Sequence, residues 1–318
     1  MNTIYIHIGY PKCFSTTLQR SYFEKHPAIH FGGVGIGDNI SYDGPDIELT
    51  FESLLKYANE FFWDKYKKKV KKSIHDFIRR AGKKKVVFSS EHLSMNFSLQ
   101  GIDNKLKYER IKYLFDDFEI RLLIIKRDPI RLIKSLYGEY VKMGYSEEYK
   151  YFLKWIITFQ DRNFLVDLNY QKKGEQLKQI FGKDNITWLT FEEIKKIGVE
   201  KSLNQELSNW LGIDYQFIPI ENNNPSLTDK EISSLVKWNK QHPRGLGKAQ
   251  TEPFERHRSR ILFKKADLDF SEEEIFSEVI KKREAIVAIK ENPVGAKEDF
   301  KKLAKLEQKV LSIIDSYS

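Results

Sequence analysis

Three short stretches bring together residue types able to do chemistry. The first is GYPKCFSTTLQ, Gly9 to Gln19, directly after the β-branched run TIYIHI. A Walker A loop, G-x-x-x-x-G-K-S/T, counted from Gly9 would place its second Gly and its Lys where Phe14 and Ser15 stand. The only lysine is Lys12, inside the loop. A turn of this kind, opening a helix, offers backbone N–H groups to an anion. Lys12 adds a mobile charge, and Ser15, Thr16 and Thr17 add hydroxyls. The second stretch is RDPIRLIKS, in which a strand delivers Arg127 into a Pro turn and Ser135 follows two helical turns later. Arg with Ser makes a charge-assisted, geometrically fixed phosphate clamp. The third is SSEHL, where Glu91 and His92 are two candidate general bases within one turn of chain.

Ligands of an open parallel sheet collect at the carboxyl ends of its strands, so these stretches require a sheet that aligns their exits. The runs Ile4–Ile8, Val86–Ser89, RLLIIK and the strand in DNITWLTFEEIKK are short and apolar and alternate with helical patterns. Continuously apolar strands of this sort imply a parallel sheet covered on both faces, an α/β three-layer arrangement. Helices are expected from about Ser15 to His26, over 46–81 with Leu54, Leu55, Ala58, Phe61 and Phe62 at helical spacing, and over about 103–117. The run HFGGVGIGDNISYDGPD holds five glycines but follows a helix, so it is no dinucleotide fingerprint and reads as a flexible loop. Capping boxes at Thr228 with Glu231 and Ser271 with Glu274 open later helices. No repeat or linker divides the chain, which reads as one domain over 1–318 whose part from about 225 to 318 is mainly helical.

The 318 residues suffice for a large core without staples, and 54 basic against 45 acidic residues give a net charge of +9 that suits anionic ligands. The lysine runs at 65–72 and 83–85 read as a solvated helix face and a strand entry. A single cysteine, Cys13, excludes an internal disulfide, a zinc site of Cys/His spacing and a paired-cysteine redox motif. The start of the first strand close to Met1 leaves no room for a signal peptide, and no apolar run reaches membrane-span length; a soluble cytoplasmic protein without membrane insertion is expected. His7 falls in a strand and reads as core, whereas His26, His30 and His75 read as surface.

Taken together, the motifs resemble those of the sulfotransferases that use 3′-phosphoadenosine 5′-phosphosulfate (PAPS) and share the P-loop kinase type of α/β fold. That family's loop runs roughly Pro-Lys-Ser/Thr-Gly-Ser/Thr-Ser/Thr, and Pro11-Lys12-Cys13-Phe14-Ser15-Thr16 occupies it here. The family's Arg and its Ser eight residues on, which grip the 3′-phosphate, match Arg127 and Ser135, and WLTFEEIK looks like its later strand. The resemblance implies that the backbone of residues 11–17 holds the 5′-phosphate, that Lys12 stabilises the leaving oxygen and that Glu91, or else His92, takes the acceptor proton. It implies PAPS as co-substrate, no metal, and a hydroxyl acceptor, with a saccharide favoured and nucleic acid not expected. A late basic loop, QHPRGLGKAQ, makes Arg244 and Lys248 candidate lid residues, while Asp167 and Tyr170 either face the acceptor or pack helices.

The departure is at Phe14, where the family commonly has Gly: either the backbone stays in a region open to Phe, or the loop is altered. A P-loop kinase of small molecules and a non-catalytic nucleotide-binding module are the rival expectations.

Overall fold

The computed structural model describes residues 3–36, 39–96, 101–142, 144–160, 164–220, 227–241 and 300–317. The described residues among 1–128 and 166–224, with 317, form one compact unit, and those among 129–165 and 225–316 form a second.

The first unit is built on a parallel sheet. β1 (Thr3–Ile8), β2 (Ile29–Phe31), β5 (Lys85–Ser90), β6 (Glu119–Lys126) and β7 (Ile186–Thr190) run in the order β2-β5-β1-β6-β7, every pairing parallel. Five consecutive residues of β1, Ile4 to Ile8, are buried, as are Val86 to Ser90 of β5, so both faces are covered and the apolar runs need no alternation. Parallel neighbours demand crossovers, and these are largely helical: α1 (Ser15–Thr17) continuing as a π-helical turn over Leu18–Phe23, α2 (Pro45–Leu49), α3 (Glu60–Arg80), α4 (Asn104–Leu114) and α7 (Tyr170–Phe181). α8 (Phe191–Ile197) and α9 (Val199–Leu211) follow the last strand. Register then sets which exits meet. Ile8 pairs with Ser90 and Lys126 with Thr190, so Gly9 leaves the sheet beside Glu91, and Arg127 leaves beside Phe191.

Three expectations are corrected. The glycine-rich run is an antiparallel hairpin, β3 (Gly33–Ile36) with β4 (Asn39–Tyr42), preceded by the short strand β2. Ladder pairing supplies there the order that glycine content alone argued against. Phe61 and Phe62 are 71% and 49% exposed and lie outside the buried stripe of α3, which is Trp63, Val70, Ile74, Phe77 and Ile78. The phase set by Leu54 and Leu55 is lost because the helix restarts at Asn59, whose side chain caps it by accepting from the Phe62 N–H at 3.0 Å. His26 is buried rather than on the surface: its ring packs on Tyr22, and Nδ1 accepts from the Ala28 N–H. His30 stacks on Phe77, and His75 Nε2 lies 3.0 Å from the Leu114 carbonyl.

His7 is wholly buried in β1, with Nδ1 2.8 Å from Ser89 Oγ, which also accepts from Gln19 Nε2 at 2.9 Å. Burial holds its pKa down at about 3. An unfolded histidine binds a proton near pH 6.5, so the unfolded chain carries the extra proton between about 6.5 and 3, and His7 costs stability progressively as pH falls through that window. Denaturant titrations of wild type and His7→Gln across it are expected to show a shallower acid loss in the variant; parallel curves would mean that His7 protonates in the folded state.

The second unit holds α5 (Pro129–Lys142), α6 (Tyr149–Thr158), α10 (Asp229–Gln241) and α11 (Phe300–Ser316). The capping box at the start of α10 forms as the sequence predicts: Thr228 N–H donates to Glu231 Oε2 at 2.6 Å and Glu231 N–H to Thr228 Oγ1 at 3.3 Å. Asn239 Nδ2 ties α10 to the end of α5 through the Val141 and Tyr145 carbonyls, both at 2.9 Å. Ser271, Glu274, Arg244 and Lys248 lie outside the described residues. No helix among the described residues is long and apolar enough to cross a membrane.

Candidate active site

The loop after β1 is shaped by close backbone approach. Gly9 N–H donates to the Ser90 carbonyl at 3.2 Å, and Ser94 Oγ donates to the Gly9 carbonyl at 2.6 Å. A Cβ on Gly9 would lie 2.5 Å from Ser15 Oγ and 2.9 Å from the His7 ring, so only glycine lets the helix start fold back over the strand end. Ser15 is buried, and its hydroxyl closes the turn on the Tyr10 carbonyl at 3.0 Å, which leaves its N–H as the group it offers a ligand.

Lys12 (φ 60°) and Phe14 (φ 64°) are the non-glycine residues with positive φ among those described. Such positions cost about 1–3 kcal/mol each and cluster at sites where the backbone must present something. Left-handed residues at Lys12 and Phe14, on either side of Cys13, are the kind of backbone from which an anion-binding nest of N–H groups is built. Phe14 is also the N-cap of α1 and makes no side-chain cap. The first helical bond runs from Leu18 N–H to the Phe14 carbonyl, so the N–H groups of Ser15, Thr16 and Thr17 have no helix carbonyl to reach and face the same way. Phe14 therefore takes the glycine conformation. Its ring stacks on Phe191 at 4.5 Å and 23°, a contact of about 0.5–1.5 kcal/mol that offsets part of the strain.

Phe191 opens α8 at the exit of β7 and serves two partners. The Arg127 guanidinium lies 4.4 Å over its ring and donates through Nη1 to the Lys12 carbonyl at 3.0 Å. Tyr170 Oη donates to the Arg127 carbonyl at 2.7 Å, and Glu192 accepts from the Asp128 N–H at 3.3 Å. Arg127 is thus fixed in orientation and joined to the loop. The Cys13 thiol is buried, and burial pushes its pKa far up; the charges it senses, Arg127, Glu91, Glu192 and Lys12, are those ranged around the loop. Its side chain packs, and only its N–H belongs to the nest.

Glu91 and His92 open a short 3-10 turn, Glu91–Leu93, at the exit of β5. That turn is held from below by buried charge. Lys107 Nζ donates to the His92 carbonyl at 2.7 Å and to Asn96 Oδ1 at 2.6 Å, and Lys173 Nζ donates to the Ser94 carbonyl. Asp167 accepts from the Asn96 N–H at 2.9 Å and from Asn104 Nδ2, while its own carbonyl accepts from Tyr10 Oη at 2.6 Å. Burial lowers the pKa of Lys107 to about 7 and of Lys173 to about 8, against the pull of Asp167, and raises that of Asp167. Asp167 is accordingly a core residue bracing both the loop and the Glu91 turn. His92 also lines a small recess with Lys56, Tyr57, Met95, Asn96, Gly101 and Lys107.

Pro11 to Thr17, Glu91, His92 and Arg127 are brought to one edge of the sheet of the first unit. Ser135 belongs to the second unit, on α5, where its Oγ is enclosed and makes no hydrogen bond among the described residues. Sequence reasoning noted FEEIK only as a strand motif and left Tyr170 undecided. The signal available was position: an aromatic and a carboxylate directly after a strand that pairs with the one delivering Arg127.

No family model and no curated protein matches the chain. Solved structures similar to it include a sulfotransferase from Alicyclobacillus acidocaldarius, 14% identical over 76% of this chain and 95% of that one, TM-score 0.46. A mouse sulfotransferase in complex with PAP is 15% identical over 91% of this chain and 87% of that one, TM-score 0.37. The sulfotransferase domain from the curacin biosynthetic pathway is 14% identical over 82% and 98%, TM-score 0.38. At such identities the residues of the loop, and not the neighbours, decide what the site does.

Proposed function

We propose that this chain is a sulfotransferase that moves a sulfuryl group from PAPS to an acceptor hydroxyl, with a saccharide as the acceptor class. The observation that carries this reading is the loop itself: two strained non-glycine residues, Lys12 and Phe14, shape an anion nest whose rim is tied to Arg127. The residues fit the donor's chemistry. The nest and the first-turn N–H groups of α1 suit the 5′-phosphate, and the oriented Arg127 fork suits the 3′-phosphate.

Bound PAPS supplies the sulfuryl group and, as leaving group, a phosphate that needs cationic stabilisation but no proton. Lys12 places its ammonium where charge develops on the bridging oxygen, the electrostatic contribution that dominates such transfers. Glu91 takes the acceptor proton as the acceptor oxygen bonds to sulfur and the old bond from sulfur to oxygen breaks. The bracing by Lys107, Lys173 and Asp167 keeps Glu91 still at the moment of transfer.

Glu91→Gln is expected to lower transfer about 10²–10⁴-fold while 3′,5′-adenosine bisphosphate binding is unchanged. The test is bisphosphate release from PAPS with a panel of saccharides, alongside the binding isotherm. Undiminished turnover in Glu91→Gln, with loss in His92→Gln, would move the base to His92.

A further inference from the structure

α3 was read from sequence as a plain solvated lysine face, but the fold adds what that reading lacked: two aromatic side chains left outside. Phe61, at 71%, has the largest exposed fraction among the large apolar residues described, and Phe62 beside it is 49% exposed. The helix turns its buried stripe, Trp63 to Ile78, inward; on the opposite face Phe61 is followed at helical spacing by Lys65, Lys68 and Lys72. These three make no ion pair among the described residues. The cations flanking them do: Lys67 with Asp64, Lys69 with Asp46, Lys71 with Asp116, Arg79 with Asp76 and Arg80 with Asp43. The acidic side chains of the unit thus neutralise the edges of the helix and leave its outermost ridge positive. Asn59 caps the end that carries the rings, so they sit on a hydrogen-bonded first turn.

We propose that this ridge is a peripheral contact surface for a bilayer rich in anionic phospholipid, with the Phe61 and Phe62 rings entering the headgroup boundary and Lys65, Lys68 and Lys72 on lipid phosphates. Interfacial binding needs two contributions, apolar side chains that enter the boundary and cations that meet the surface potential, and this face carries both without a spanning segment. The ring geometry separates a bilayer from a soluble polyanion. Phe61 and Phe62 stand edge to face, 5.6 Å apart at 83°, a wedge rather than the flat platform on which a sugar ring or base would stack.

The test is co-sedimentation of the full chain with vesicles of phosphatidylcholine alone and of phosphatidylcholine mixed with phosphatidylglycerol. Binding is expected to the mixed vesicles only, weakening with salt. The double variant Phe61→Ser with Phe62→Ser, and the triple variant Lys65→Gln, Lys68→Gln, Lys72→Gln, are each expected to reduce partitioning about tenfold or more. All five side chains lie outside the buried stripe, so the melting temperature of both variants stays at the wild-type value and loss of binding is not loss of fold. No binding to the mixed vesicles overturns the proposal, as does equal binding to both kinds. A lysine-dependent binding that ignores the phenylalanine changes also overturns it, since that is recognition of a polyanion and not of a bilayer.

Discussion

Lys12→Ala is expected to cut sulfuryl transfer about 10²–10³-fold, the usual cost of removing one preorganised stabiliser of developing charge. The backbone explains why the loss falls on turnover. Lys12 has φ 60°, and alanine keeps the β-carbon that makes this conformation strained, so the variant pays the same backbone cost and gains no freedom. The Lys12 carbonyl still accepts from Arg127, and the nest of N–H groups persists. Bisphosphate affinity should therefore change little while kcat collapses. Comparable activity in Lys12→Ala would remove the lysine from the mechanism.

Arg127→Ala is expected to act on the other quantity. Truncating one side of a desolvated, hydrogen-bonded charge contact costs about 2–5 kcal/mol, so bisphosphate binding should weaken about 30-fold or more. Arg127→Lys is not expected to rescue it. Arg127 holds its place by a guanidinium face over Phe191 and a donor to the Lys12 carbonyl, and an ammonium reproduces neither the fork nor the stack. Isothermal titration with the bisphosphate separates the cases. A lysine variant that binds like wild type would show that charge alone, without orientation, is what the site requires.

The sheet and the strand exits were legible in the sequence because local pattern and tertiary context agree there. β1, β5, β6 and β7 are apolar runs bounded by turn residues, and parallel pairing places whatever follows them along one edge. The Lys12, Glu91 and Arg127 positions follow from that alone. What was not legible depends on pairing between distant segments. The glycine-rich run becomes a hairpin through a ladder, and Phe61 and Phe62 change face because Asn59 restarts the helix phase. Phe14 was open on sequence grounds, since its tolerance of a left-handed backbone rests on a ring, Phe191, that is far away in the chain. Asp167 was ambiguous for the same reason: its partners Asn96, Asn104 and Lys173 come from three separate segments.

The central claim is that the nest and Arg127 hold an adenosine 3′,5′-bisphosphate rather than a nucleoside triphosphate with magnesium. Melting temperatures measured with 3′,5′-adenosine bisphosphate, with ATP plus magnesium, and with neither address it directly, because a ligand that binds only the folded state raises the midpoint according to its affinity. The bisphosphate is expected to stabilise wild type, ATP with magnesium to do little, and Arg127→Ala to lose the shift. Stabilisation by ATP with magnesium and none by the bisphosphate would contradict the account and make the site that of a kinase.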